Sequence, residues 1–206
     1  MTSSADPALL VAILRGLPST EAPTVGTALY GAGIRTLEVP LTTPDSLRSI
    51  TALRSCLPED VQVGAGTVRT IEDVARAHEA GASLIVSPHV DPAVIGAALA
   101  RSMRCLPGVA TITEALTALA AGAAELKVFP ADQVGTSGLR AWRTVLPEGI
   151  ALYPVGGVGA ANLAIWAAAG ADGFGVGGSL YQPGMGTSDL VAGAKALVAA
   201  HRALCC

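Results

Sequence analysis

One lysine lies where a charged side chain is rarely found. Lys127 is one of two lysines in the chain and stands within the apolar run 125–130, although lysine is almost never buried without a partner or a purpose. The run is short and rich in strand-forming residues, which predicts a strand with Lys127 and Phe129 on one face. An apolar site lowers the pKa of a lysine, and a neutral amine can form a Schiff base with a carbonyl group. Lys127 is therefore a candidate nucleophile.

A carboxylate on another predicted strand could complete this chemistry. The run 34–39 predicts a strand with Leu37 and Val39 facing outward and Glu38 facing inward. An inward carboxylate opposite an inward lysine is either a salt bridge or an acid–base pair. The sequence leaves two alternatives open: Glu38 transfers protons in a reaction, or Lys127 and Glu38 form a structural ion pair.

Residues suited to binding an anion follow other predicted strands. Arg15 ends the first strand, where its guanidinium suits a carboxylate or a phosphate, unless it pairs structurally with Glu38. Glycine clusters lie at 156–159, before a helix, and at 175–179, after the last strand. Glycine-rich loops at such positions often bind phosphate through backbone N–H groups. The alternative is that these glycines only form tight turns.

The elements that position these residues alternate along the chain. Short apolar runs and Ala-rich amphipathic segments predict eight strands and eight helices. Such alternation gives a parallel sheet, and eight units close into a TIM (β/α)8 barrel in a single compact domain spanning 1–206. An open Rossmann-like sheet is the alternative, although no G-x-G-x-x-G follows the first strand. Four predicted helices end in an Ala-Gly pair, where a positive φ is needed: Gly33, Gly81, Gly122 and Gly170.

The composition argues against several classes of protein. Of 206 residues, 51% are hydrophobic and 14% charged, as in well-buried globular proteins. The net charge of -3 and the lack of a Lys/Arg cluster argue against nucleic acid and anionic membranes, which leaves a small molecule as the expected partner. We see neither a secretory signal nor an apolar run long enough to span a bilayer, so we expect a cytoplasmic protein.

The cysteines and histidines do not have the spacing of a metal site. Cys56, Cys105, Cys205 and Cys206 lack a paired C-x-x-C arrangement and are expected to be free thiols. The three histidines lie far apart. We therefore expect no metal, so that carbonyl chemistry would need another electron sink, such as a protonated imine on Lys127.

The order of the motifs resembles that of a known family, the class I 2-keto-3-deoxy-6-phosphogluconate and 4-hydroxy-2-oxoglutarate (KDPG/KHG) aldolases. The resembling segments cover nearly the whole chain: 12–16 (AILRG), 38–41 (EVPL), 64–68 (GAGTV), 87–88 (SP), 106–108 (LPG), 126–130 (LKVFP), 155–158 (VGGV) and 177–179 (GGS). Each segment is short, but together and in this order they are specific for the family.

Some positions resemble one branch of that family. Those that look like the 6-phosphogalactonate branch are Arg15, Pro40, 162–166 and 180–181. Thr42 stands where the gluconate enzymes usually carry an arginine, whereas Gly178 before Ser179 resembles the gluconate branch. Cleavage of the gluconate substrate or of 4-hydroxy-2-oxoglutarate therefore remains the alternative.

The resemblance implies roles for named residues. Lys127 would form the Schiff base, and Glu38 would transfer protons. The residues implied at the keto-acid end are Arg15, Thr67, Pro88 and Phe129, and those implied at the phosphate are Gly156, Gly157, Gly177, Gly178 and Ser179. The resemblance also implies a homotrimer without a metal that cleaves a phosphorylated 2-keto-3-deoxy sugar acid to pyruvate and glyceraldehyde 3-phosphate.

Two other functions fit the same residues. A phosphosugar isomerase or epimerase on the same barrel would use Glu38 as its base without a covalent step. A non-catalytic protein that binds a sugar phosphate would use the glycine clusters alone. Trapping of an imine separates the aldolase from both.

Overall fold

Short strands alternate with helices throughout the part of the chain that the computed structural model describes, residues 10–205. In order these are β1 (Leu10–Ile13), α1 (Ala22–Gly31), β2 (Thr36–Pro40), α2 (Ser46–Cys56), β3 (Gln62–Gly66), α3 (Ile71–Glu79), β4 (Leu84–Val86), α4 (Pro92–Leu99), β5 (Arg104–Leu106), β6 (Gly108–Val109), α5 (Ile112–Ala120), β7 (Glu125–Val128), α6 (Ala131–Arg143), β8 (Ala151–Pro154), α7 (Leu163–Ala168), β9 (Phe174–Val176) and α8 (Thr187–Arg202), followed by a 3-10 helix (Ala203–Cys205). The predictions for residues 1–9 and for the thiols of Cys205 and Cys206 lie outside the described residues.

The strands pair in parallel in two sheets. Six follow the order β5-β4-β3-β2-β1-β9 and three the order β6-β7-β8. The longer order never reverses and brings the last strand beside the first, unlike a doubly wound sheet, whose order reverses at a switch point. The architecture is thus an α/β fold with a curled parallel sheet and, within residues 10–205, eight α-helices.

The number of strands differs from the prediction. We predicted eight, and nine are present among the described residues because Pro107 separates β5 from β6. Proline has no N–H group to donate to a strand ladder, so the pairing is interrupted there. β5 pairs with β4 while β6 pairs with β7, and Val155, directly after β8, forms a parallel bridge with Gly175 in β9.

Caps and glycines set the ends of several helices. The Thr70 hydroxyl accepts a hydrogen bond from the Asp73 N–H group at the start of α3, and Thr111 and Glu114 form a capping box on α5. The glycines after α1, α3, α5 and α7 all have positive φ, which confirms their prediction as helix ends: 104° at Gly33, 92° at Gly81, 97° at Gly122 and 102° at Gly170.

The apolar side chains form two clusters. The larger lies between the sheet and the helices and includes Leu37 and Val39 of β2 and Leu126 and Val128 of β7. The smaller lies inside the curled sheet. Side chains alternate along a strand, so Glu38 and Lys127 point to the inner side, as predicted. The inner cluster consists of Val11, Leu84, Val86, Leu106 and Tyr153.

A polar cluster closes the amino end of the inner side. Arg104 at the start of β5 donates to Glu125 Oε2 (2.6 Å), to Gln62 Oε1 (2.9 Å) and to the Tyr153 hydroxyl (2.6 Å). These partners come from three other strands, β7, β3 and β8. Since this cluster fills the amino end, a functional site is expected at the carboxyl ends of the strands.

Among residues 10–205, no helix combines the length and the apolar character needed to cross a membrane.

Candidate active site

The strands bring Lys127 and Glu38 together inside the curled sheet. Lys127 is 7% exposed and Glu38 is 2% exposed. Each side chain affects the ionisation of the other, yet their charged atoms are not within the 4.0 Å of an ion pair. The pair is therefore close without forming the direct salt bridge that the sequence left open.

Burial is the main cause of the shifted ionisation of both groups. It raises the pKa of Glu38 from 4.5 to about 7, although the positive charges of Lys127 and Arg15 oppose the rise. It also lowers the pKa of Lys127, with Glu38 opposing and Arg15 adding to the effect. Burial penalises the charged form of each group. The site thus holds an amine that deprotonates more easily than a surface lysine and a carboxyl that can exchange a proton near neutral pH.

The Glu38 carboxyl lies directly over Gly66. The strand register sets Glu38 beside Gly64 and Pro40 beside Gly66, and any side chain at position 66 would overlap both carboxyl oxygens. Oε2 is buried and has no hydrogen-bond partner among the described residues. A buried acceptor without a partner is uncommon, so this oxygen is suited to a hydroxyl group of a substrate or a water molecule.

A cavity of about 840 Å³ opens at the carboxyl ends of β1, β8 and β9. The predicted residues that line it are Arg15, Phe129, Gly156, Gly157, Gly177, Gly178 and Ser179. Lys127 and Glu38 are not in the lining. The Lys127 amine lies 4.6 Å from the centroid of the Phe129 ring, which lines the cavity, so the amine is next to a residue of the cavity wall.

Arg15 places a positive charge at the rim of this cavity. Its side chain is exposed, and Nη1 lies 3.5 Å from the Thr42 hydroxyl. The following N–H group, of Gly16, donates to the Thr43 hydroxyl at 2.9 Å. Arg15 forms no ion pair with Glu38 within 4.0 Å. Its guanidinium is therefore available to a carboxylate or a phosphate.

Two predicted residues lie away from the large cavity. Thr67 borders a separate cavity of about 220 Å³ that also contacts Arg69 and Asp73. Its φ of 56° is rare for a β-branched residue. Pro88 lines neither cavity. It packs against Gly108, where a Cβ would lie 2.6 Å from the Pro88 carbonyl carbon, and Gly108 is the strand partner of Lys127.

Two loops form the glycine-rich side of the large cavity: the β8 loop (156–159) and the β9 loop (177–179). The N–H groups of Gly157, Gly178 and Ser179 donate to no acceptor within residues 10–205. Free N–H groups in such loops suit an anion.

No group of three or more His, Cys, Asp or Glu side chains within residues 10–205 could hold a metal ion.

Among the lining residues to which sequence reasoning assigned no role are Asn162 and Tyr181. Asn162 precedes α7, and an asparagine at a helix start is a signal of a side chain that bonds to nearby backbone. The Tyr181 hydroxyl is buried without a partner among the described residues, a feature that only coordinates reveal.

Comparisons with known proteins agree with the motifs. A family model described as KDPG and KHG aldolase matches residues 3–192. The "Probable 2-dehydro-3-deoxy-6-phosphogalactonate aldolase" of Rhizobium meliloti (strain 1021) is 47% identical over 195 residues, which cover 95% of this chain and 92% of that protein. The "2-dehydro-3-deoxy-6-phosphogalactonate aldolase" of Escherichia coli (strain K12) is 41% identical over 193 residues, 94% of each protein.

A solved structure described as "Native KDPGal structure" has the same fold. It superposes with a TM-score of 0.92 at 40% identity and covers 95% of both chains. The family resemblance predicted from the motifs is thus confirmed: the chain belongs to the KDPG and KHG aldolase family.

Proposed function

We propose that this protein is a class I aldolase that cleaves 2-dehydro-3-deoxy-6-phosphogalactonate to pyruvate and glyceraldehyde 3-phosphate. The observation that carries the proposal is the buried pair of Lys127 and Glu38. Burial shifts the pKa values of both groups, and Lys127 lies next to Phe129 in the wall of a large cavity. Relatives 41% and 47% identical to this chain bear the name of that substrate, which favours it over the gluconate epimer.

In the first step the neutral Lys127 amine attacks the C2 ketone of the substrate. Loss of water gives a protonated imine, whose positive charge attracts the electrons released when the neighbouring carbon–carbon bond breaks. Lys127 therefore supplies the electron sink, and the reaction needs neither a metal nor another cofactor. Phe129, 4.6 Å from the amine, packs at the keto-acid end.

In the second step Glu38 removes the proton of the C4 hydroxyl, directly or through one water molecule. The C3–C4 bond breaks, its electrons form an enamine, and glyceraldehyde 3-phosphate leaves. The enamine regains a proton at C3, and hydrolysis of the imine releases pyruvate and restores Lys127. The unpartnered Oε2 of Glu38 supports this role because it can accept a proton without first breaking a hydrogen bond.

The remaining site residues bind the two ends of the substrate in this proposal. Arg15 contacts an anionic end from the rim, and Thr67 and Pro88 contribute at the keto-acid end. The phosphate lies against the β8 and β9 loops, at Gly156, Gly157, Gly177, Gly178 and Ser179. The N–H groups of Gly157, Gly178 and Ser179, which are free within residues 10–205, support the assignment.

We also propose that the two sheets form one closed TIM (β/α)8 barrel within a single domain. Three features support closure: β6 continues β5, Val155 bridges to Gly175, and β9 pairs with β1. The homotrimer and the cytoplasmic location stay predictions.

Borohydride trapping with pyruvate tests the covalent step. We expect one reduced pyruvate adduct, located on Lys127 by peptide mass mapping, and no adduct in Lys127→Arg. The exposed Lys195 provides the matched control, since Lys195→Arg should trap pyruvate like the wild type. An adduct on Lys195, or none on the wild type, would exclude the aldolase mechanism and leave the isomerase or the binding protein.

Pyruvate release from the two C4 epimers tests the substrate. We expect faster cleavage of the galactonate epimer, and faster cleavage of the gluconate epimer would favour the alternative.

Glu38→Gln should retain the imine with pyruvate but turn over about 100-fold more slowly, since general acid–base catalysis contributes that much. Full activity in Glu38→Gln would remove Glu38 from the mechanism.

A further inference from the structure

Side chains tie the two glycine loops to each other and to the start of α7. The Asn162 side chain donates from Nδ2 to the Gly157 carbonyl (2.8 Å) and accepts at Oδ1 from the Gly159 N–H group (2.9 Å). The Ser179 hydroxyl in the β9 loop donates to the Val158 carbonyl in the β8 loop at 2.8 Å. These three bonds link both loops into one unit.

Two of these bonds hold a single peptide unit from both sides. The unit between Val158 and Gly159 accepts from Ser179 at its carbonyl and donates to Asn162 at its N–H group. A peptide unit is planar, so it cannot rotate while both bonds persist. The space is also tight, since a Cβ at Gly159 would lie 3.2 Å from Ser179 Oγ.

The bond to Val158 limits what Ser179 can do for a ligand. A serine hydroxyl has one proton, and in Ser179 that proton is already donated within the protein. The Asn162 amide accepts at Oδ1 and donates one of its two Nδ2 protons within the β8 loop. By contrast, the N–H groups of Gly157, Gly178 and Ser179 donate to no acceptor in the described chain.

We infer that Asn162 and Ser179 are positioning residues, which hold the β8 loop against the β9 loop so that backbone N–H groups of the two loops bind the substrate phosphate. The Ser179 hydroxyl does not donate to the phosphate itself. The inference rests on the proposed function in assuming a phosphorylated substrate. It makes the Ser179 hydroxyl a tie between the two loops and leaves the Ser179 N–H group to the phosphate.

Single substitutions test whether these side chains act on phosphate binding alone. Asn162→Ala and Ser179→Ala should each raise the KM for the phosphorylated keto acid about tenfold, the upper range for a lost hydrogen bond. Cleavage of the unphosphorylated keto acid and trapping of pyruvate should stay within about twofold of the wild type. Ser179→Thr, which keeps the hydroxyl, should restore most of the affinity.

A double-mutant cycle separates positioning from direct contact. Because both side chains hold the same peptide unit, the first substitution already frees it, and Asn162→Ala with Ser179→Ala together should cost little more than either alone. Two independent contacts to the phosphate would instead multiply to about 100-fold. A multiplied loss, or unchanged KM values in both single variants, would overturn the inference.

Controls separate this result from loss of folding or of the proposed function. Ser55→Ala removes a hydroxyl-to-carbonyl bond of the same 2.8 Å length within α2 and should change no kinetic constant. If Asn162→Ala does not fold, Asn162→Asp replaces it, because aspartate keeps the size and the acceptor oxygen; it should also raise the KM.

Calorimetric titration with inorganic phosphate gives a readout independent of turnover. Weaker phosphate binding in the variants, with no cleavage by the wild type, would support the inference and reject the proposed function. Unchanged phosphate binding would reject the inference.

Discussion

The carboxyl group of Glu38 fills the space that a side chain on Gly66 would need. The two residues lie on the neighbouring strands β2 and β3, and a Cβ on Gly66 would be far inside van der Waals contact with both carboxyl oxygens. Because Gly66 on β3 has no side chain, β2 can place the Glu38 carboxyl group in the centre of the site. Position 66 is accordingly part of the site, although it offers no functional group.

Gly66→Ala should displace Glu38 and slow the reaction. We expect a fall in kcat similar to that of Glu38→Gln and a loss of about 1–3 kcal/mol in the free energy of unfolding, the usual cost of overpacking. Kinetics and urea denaturation measure both. Gly96→Ala is the control, because Gly96 is an exposed residue in α4 with open space around it and should gain up to about 1 kcal/mol. Normal kcat in Gly66→Ala would show that the carboxyl can work from another position.

Glu38→Gln should stabilise the protein at pH 8 and not at pH 5. The folded-state pKa of Glu38 is about 7 against an ordinary 4.5, so its ionisation costs stability as pH rises through that range. The cost reaches at most about 3 kcal/mol above pH 7 and vanishes below pH 4.5. Lys127 and Arg15 are the charged groups that act on Glu38 and oppose this effect. Urea denaturation at both pH values measures it.

The matched control for this pH dependence is Glu148→Gln, at an exposed glutamate. It should change stability equally little at both pH values. Lower stability of Glu38→Gln at pH 8 would mean that the ionised carboxylate is stabilised inside the protein.

Lys127→Met should abolish activity without lowering stability. Lys127 is 7% exposed and has no ion pair within 4.0 Å among the described residues. Burying its amine therefore costs desolvation energy, which a methionine of similar length avoids. We expect the Tm to be unchanged or higher and pyruvate release to be lost. Lys195→Met, on the exposed side of α8, should leave both unchanged. A clear drop in Tm for Lys127→Met would indicate that the lysine also supports the fold.

Arg104→Met should destabilise the protein and spare the chemistry. The substitution removes the hydrogen-bond partner that Glu125 and Gln62 share. We expect the free energy of unfolding to fall by about 2 kcal/mol, because the ion pair of Arg104 and Glu125 is partly exposed. Turnover below the unfolding transition should be near normal because the cluster lies at the opposite end of the strands. Arg101→Met is the control, at an exposed arginine whose side chain donates to the Ala97 carbonyl. Loss of kcat in stable Arg104→Met would mean that the two ends are coupled.

The sequence predicted those features that depend on local periodicity. The side-chain period of two in a strand correctly places Glu38 and Lys127 on the inner side, because neighbouring apolar residues mark the outer one. The cap at Thr70 correctly predicts helix α3 at 71–79, and glycine after a helix predicts its end. Such signals lie within a few residues of the feature they determine.

Features that depend on how distant segments meet could not be predicted. Pro107 has no N–H group to donate, but the division of the strand at this residue also depends on partners elsewhere in the chain, since β5 pairs with β4 and β6 pairs with β7. The amphipathic pattern predicts a helix at 138–146, whereas α6 begins at Ala131 and has a break at Gly135. Its start is held by the Ala131 N–H group, which donates to the Val155 carbonyl on another strand end. The separation of Thr67 from the large cavity likewise follows from packing between loops that are distant in sequence.

The Arg104 cluster has a consequence for the kinetics of the enzyme. Because this cluster closes the amino end of the inner side, we expect a molecule attached to Lys127 to leave at the carboxyl end, past Phe129 and the glycine loops where the phosphorylated fragment is proposed to sit. Pyruvate, held deeper, would leave second, and glyceraldehyde 3-phosphate first. Release in that fixed sequence predicts that only pyruvate competes with the sugar acid for the free enzyme. The imine on Lys127 would set the order of release, and the closed amino end would give both products the same way out.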